Sequence, residues 1–265
     1  MIEPRRIGRF LTVDKFGYVE PDVGIDRIGA VWEPLIAFVR DALMSRQGVR
    51  SVYLRGSIPR GLAIERLSDA DFFYLSETNF APGDAALEQA VESRFPFVKG
   101  LELSRLDRGT LEKIHQPQRR PYFQMLLKTQ CLFLAGDDVA SSIEPFRLGP
   151  DMVSHVFSLQ SEFSRLPRRL EQGRQAGVER SMHEWFSRRI VRSGFEVTMN
   201  RSDRFTRDLY LCYEQFAKFY PDRSAQMFRV LINCLNGGES PLQYGELVDF
   251  LALEGARLIG GAAMA

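Results

Sequence analysis

Two carboxylates at i and i+2 inside a hydrophobic run, Ser68-Asp69-Ala70-Asp71-Phe72-Phe73, constrain this chain more than any other feature. Side chains alternate across a strand, so Asp69 and Asp71 share one face while Ala70 and Phe72 point into the core. Carboxylates about 6–7 Å apart along a strand can hold a hard divalent cation between them. Upstream, a second hydrophobic run ends in Leu54-Arg55 and turns at Gly56-Ser57. Backbone N–H groups and a hydroxyl in such a turn suit a chain of phosphates. Metal-binding carboxylates beside a phosphate cradle are the parts needed for transfer of a nucleotidyl group.

The pattern continues outward. A helical period runs through Ile28, Val31, Trp32, Leu35, Phe38, Val39, Ala42 and Leu43, with Pro34 in its first turn or at a kink, and Gln47-Gly48 closes it. Strands are expected at 51–55, 70–75, 99–106 and 131–135, with Asp84 capping a short helix that carries Leu87, Ala90 and Val91. After Gly149 the strand signal stops. Phe205, Leu209, Cys212, Phe216 and Phe219 step by three and four residues through a helix over 203–220, which Pro221 ends. Gly237-Gly238 closes the next helix and Ser240-Pro241 starts the last, with a frayed end over 260–265. The expected architecture is an α/β catalytic domain with a mixed sheet over 1–149, then an all-α helical bundle over 150–265.

With these residues in place, the chain resembles the nucleotidyltransferases of the DNA polymerase β superfamily. Their signature is a hydrophobic residue, Gly, Gly or Ser, a spacer, and Asp-x-Asp or Asp-x-Glu. Here Gly56-Ser57 is followed by eleven residues and then Asp69-Ala70-Asp71. Arg60-Gly61 and Ser68 resemble the small bacterial branch, which includes the minimal nucleotidyltransferases and the aminoglycoside adenylyltransferases. The resemblance implies a third carboxylate on a later strand, a pattern that Leu101-Glu102-Leu103 supplies. It implies Mg²⁺ on Asp69 and Asp71, with Glu102 as metal ligand or general base, and ATP as co-substrate held by Gly56, Ser57, Arg60 and Ser68. Arg60 is equally readable as a solvated loop arginine.

Lys218, with Arg207 one helical face away, is a candidate triphosphate contact, although a snorkelling surface lysine is the commoner role. Asp107 is an alternative third carboxylate at a strand end, where a turn role is the commoner one. His115, beside Gln116 and Arg119, reads as a loop residue.

A net charge of +1 with 26% charged residues leaves no global field to draw the protein onto a polyanion or an anionic membrane. A small hydroxylated acceptor is therefore favoured, and the segment Leu134 to Asp137 resembles the antibiotic-modifying branch. The alternative acceptor is tRNA or a partner protein, as for toxin and antitoxin enzymes of the superfamily. Its local support is the run Arg165, Arg168, Arg169, Arg174, Arg180, Arg188, Arg189 and Arg192. Cys131, Cys212 and Cys234 sit singly among apolar residues, the pattern of buried free thiols in a reducing compartment. Without a membrane span or signal-peptide core, the expected location is the cytoplasm. No motif specifies the acceptor or an oligomeric state.

Overall fold

The computed structural model describes residues 3–77, 83–107, 122–149, 152–175 and 177–262. These form two compact units, one of Thr12–Arg147 and one of Met1–Leu11 with Leu148–Ala265.

In the first unit, helix α1 spans Glu33–Met44 with Pro34 in its first turn, where a missing N–H costs nothing. It starts later than the apolar period suggested, because residues 25–27 and 30–32 form separate 3₁₀ turns around an extended Gly29. Val31 accordingly lies exposed while Leu35, Ile36, Val39 and Leu43 are buried. The helix also ends before Gln47, at Met44; Gly48, at φ +82°, instead turns the chain into strand β1, Val49–Arg55.

Strand β2 is Ala70–Ser76, β3 is Leu101–Asp107 and β4 is Cys131–Gly136. The sheet order is β3-β2-β1-β4. β1 runs antiparallel to both β2 and β4, whereas β2 and β3 are parallel, so the sheet is mixed. A parallel pair needs a crossover, and helix α2, Asp84–Arg94, lies in it.

Alternation gives the sheet two different faces. Val52, Leu54, Ala70, Phe72 and Tyr74 pack with Leu35, Val39 and Leu43 of α1 and Leu87 and Val91 of α2 in one core. The opposite face carries Arg55, Asp71 and Phe73, and Phe73 meets Phe123 of helix α3, Tyr122–Gln130, with ring centroids 6.4 Å apart. Asp84 is not the cap of α2. Gly83 takes that position, while the Asp84 carboxylate is occupied by the Tyr74 hydroxyl at 3.0 Å and by the Arg46 guanidinium.

The second unit is helical, with α4 His155–Gln175, α5 Glu179–Glu196, α6 Leu209–Phe219, α7 Ser224–Asn236 and α8 Gly245–Ala262. Helix α5 supplies much of its core through Phe186, Ile190, Val191 and Phe195. The helix expected over 203–220 begins only at Leu209, because the preceding residues serve the amino-terminal segment. Phe205 O accepts from Leu11 N at 2.7 Å, Thr206 donates to Arg9 O at 2.9 Å, and the Asp208 carboxylate accepts from Arg9 N at 2.9 Å.

Gly237, at φ +58°, closes α7 as expected, and its carbonyl meets His183 Nδ1 at 3.1 Å. Ser240-Pro241 opens a 3₁₀ turn over 241–244 rather than α8 itself, and α8 continues past Gly260 to Ala262. At the start of α4, the fully buried Glu196 carboxylate accepts from Ser154 N at 3.1 Å and Val156 N at 2.8 Å, which covers N–H groups the helix cannot satisfy itself. Among the described residues no helix is long and apolar enough to cross a membrane.

Candidate active site

The strand register aligns one row of charges across three strands. Arg55 of β1 lies opposite Asp71 of β2, and Asp71 lies beside Glu102 of β3. Arg55 Nη2 reaches Asp71 Oδ1 at 3.2 Å and Glu102 Oε1 at 2.5 Å. Its guanidinium carbon sits 4.6 Å from the centre of the Phe73 ring, a cation–π contact that fixes the plane of the fork.

The row grades from buried to open. The Asp71 side chain is 17% exposed and that of Glu102 is 58% exposed. Burial pushes the Asp71 carboxyl up to about 7; Arg55 opposes the shift, and the neighbouring Glu102 and Asp69 add to it.

Asp69 stands immediately before β2, two residues from Asp71 and on the same face. Its Oδ2 receives Lys99 Nζ at 3.3 Å in a half-exposed pair. The three carboxylates therefore share one region of the sheet, each held by a cation of the chain itself. Among the described residues no three His, Cys, Asp or Glu side chains close on a common point as metal ligands. The oxygen-only donors Asp69, Asp71 and Glu102 nonetheless suit a hard divalent ion. Arg55 marks where a cation bridges two of them.

Gly56 follows Arg55 at φ +80°, a left-handed conformation that favours glycine. A Cβ there would stand 2.2 Å from Asp71 Oδ2, so the turn needs glycine to admit the carboxylate. Ser57 closes the following loop by accepting from Leu62 N at 2.9 Å through its carbonyl. Its hydroxyl makes no hydrogen bond among the described residues.

Arg60 is not a solvated loop residue. Its Nε donates to the buried Asp22 at 2.6 Å, and Asp22 also receives Arg27 at 3.2 Å. Ser68 supports the loop as well: its hydroxyl accepts from Ile64 N at 2.9 Å.

Lys218 is exposed on α6 in the helical unit, its Nζ 5.5 Å from the Phe219 ring centre. Arg207 precedes α6 and so shares no helical face with it; its carbonyl accepts from Arg192 Nε at 3.4 Å. Asp107 lies five residues beyond Glu102 on β3, opposite Ser76. An odd separation places it on the other face of the sheet, roughly 16 Å along the strand, too far to join Asp71. His115, Gln116 and Arg119 lie outside the described residues.

Arg55 and Lys99 are the site residues that sequence reasoning missed. The available signal for Arg55 was a charge inside an otherwise apolar strand, directly before the glycine turn. Cys131, Cys212 and Cys234 are buried and form no disulfide; Cys131 lies opposite Arg55 on β4, whereas Cys212 and Cys234 belong to the helical unit.

A mixed α/β sheet unit with a charged row on one face, and a second unit of helices, define the fold. No protein-family model and no curated protein matches the sequence. Among solved structures, spectinomycin adenyltransferase AAD(9) from Enterococcus faecialis, crystallised with ATP and spectinomycin, is 11% identical at a TM-score of 0.46, and the likeness covers 85% of this chain and 98% of that one.

Proposed function

We propose that this chain is a nucleotidyltransferase that moves a nucleoside monophosphate, AMP from ATP, onto a hydroxyl of a small molecule. The observation that carries the reading is the register that sets Asp71 beside Glu102, with Asp69 on the same face and the Gly56-Ser57 turn against the Asp71 carboxylate. Asp69 and Asp71 would hold Mg²⁺, which when bound neutralises the charge that builds on the α-phosphate and the departing pyrophosphate. The acceptor oxygen forms a bond to the α-phosphorus as the bond to pyrophosphate breaks. Glu102, the most exposed of the three carboxylates, takes the acceptor proton. The Ser57 hydroxyl and the backbone around Gly56 grip the outer phosphates.

A small acceptor fits the charge distribution better than tRNA does. Arg174 pairs with Glu171 and Glu179, Arg180 and Arg188 with Glu184, and Arg189 with Glu162. Those arginines meet acidic partners within the helical unit, which weakens them as a phosphate track. Buried free thiols suit a reducing, cytoplasmic setting.

The test is transfer of label from ATP, GTP, CTP and UTP to metabolites, aminoglycosides, tRNA and cell lysate, in parallel for wild type and Asp71→Asn. Label should pass from ATP to a small molecule, and Asp71→Asn should abolish it while the circular dichroism spectrum is kept. Transfer that survives Asp71→Asn, or absence of transfer with every donor, would refute the proposal.

A further inference from the structure

Arg55 stands among the carboxylates as a fixed cation rather than a mobile one. Its Nη2 is shared by Asp71 at 3.2 Å and Glu102 at 2.5 Å. Phe73 holds the guanidinium from one side at 4.6 Å. The side chain is 19% exposed, and Nε is buried with no hydrogen-bond partner, so the contacts that orient the group are those to the carboxylates and the ring. Backbone register on both sides of β2 sets the row in place.

An arginine keeps its charge at any pH at which a protein folds, and its planar fork suits carboxylates. A divalent ion placed between Asp71 and Glu102 would meet this charge at contact range in a partly dehydrated site, where like charges repel strongly. The Asp69 side differs. Lys99 and Asp69 are both about half exposed, at 53% and 40%, and an exposed pair of that kind holds its partners only weakly.

We propose that Arg55 takes the place of a second divalent ion of the kind that nucleotidyl transfer can use, so that the site loads a single metal ion, on Asp69 and Asp71. Glu102 is then the partner of Arg55 and not a metal ligand. The inference rests on the nucleotidyltransferase reading above. Arg55 supplies the second positive charge permanently, at the edge of the site where the acceptor proton leaves.

Counting bound metal tests this without reference to turnover. The full chain, free of nucleotide, is titrated with Mn²⁺ and the unbound ion is followed by electron paramagnetic resonance for wild type, Arg55→Met, Arg55→Gln and Asp71→Asn. Wild type should bind one ion per chain, Asp71→Asn should lose it with at least a tenfold fall in affinity, and both Arg55 variants should bind two. Two Asp71-dependent ions in the wild type would overturn the proposal, and that count stands even if the Arg55 variants fail to fold. A single ion in Arg55 variants that keep the wild-type circular dichroism spectrum would overturn it equally. No Asp71-dependent ion in any protein would remove the metal site and the proposal with it. Label transfer from ATP by the wild type, measured alongside, separates that failure from failure of the nucleotidyltransferase reading itself.

Discussion

At the scale of single residues, Asp71 dominates the behaviour of the site. Its carboxyl titrates at about 7 in the folded protein against 3.8 ordinarily, with burial the largest cause. Between those values the folded chain keeps a proton that the unfolded chain has released. Stability of the metal-free protein therefore falls as pH rises through that window, and the loss is complete above it. Asp71→Asn is neutral throughout and should lack this contribution. Melting temperatures from about pH 4 to about pH 8 should show wild type losing ground to Asp71→Asn as pH rises, and parallel curves would contradict the assignment. Because a divalent ion needs the ionised form, Mn²⁺ affinity should also fall by up to about tenfold for each pH unit below 7.

At the scale of elements, the junction of β4 with β1 explains the segment Leu134 to Asp137. Gly136 has φ +92°, and a Cβ there would lie 2.0 Å from the Arg50 carbonyl oxygen. Asp137 pairs with the Arg50 guanidinium, and its carbonyl accepts from the Ser51 hydroxyl at 2.5 Å. Gly136→Ala combines a left-handed backbone with a clash against main chain that cannot swing aside, and should cost about 2–4 kcal/mol in urea denaturation. A loss below about 0.5 kcal/mol would mean that the strand end shifts freely.

The same strands mark what could be read beforehand. The shared face of Asp69 and Asp71 was legible because a period of two is local to one strand. Glu102 was legible as a charge between two leucines. Arg55 and Lys99 were not legible as partners of these carboxylates, because cross-strand neighbours depend on register between segments dozens of residues apart. The solvated alternative for Arg60 stayed open beforehand for a related reason: Asp22, which holds it, comes from a distant loop. Helix starts were misplaced at Ile28 and Asp203 where 3₁₀ turns or long-range backbone bonds displaced a sound apolar period.

At the scale of the whole molecule, charge separates the two acceptor classes. A nucleic acid held by several phosphate contacts loses affinity steeply with salt, whereas a small hydroxylated acceptor releases few counterions. Arg168, Arg169 and Arg174 changed together to Ala should leave transfer to the true acceptor unchanged, with little difference between low and physiological salt. Arg174 loses only exposed ion pairs, and Arg169 a contact 5.5 Å from the Trp185 ring centre. A steep loss in both measurements would move the acceptor to tRNA. The parallel pairing of β2 with β3 bears on when the protein becomes competent. Antiparallel neighbours can zip from a local turn, but parallel ones must wait for the crossover between them to close, so their contacts form against a larger loss of chain freedom. A nascent or partly refolded chain can thus carry Arg55 and Asp71 already opposed across β1 and β2 while Lys99 and Glu102 are still adrift. Competence at this site is a report that the crossover between β2 and β3 has closed.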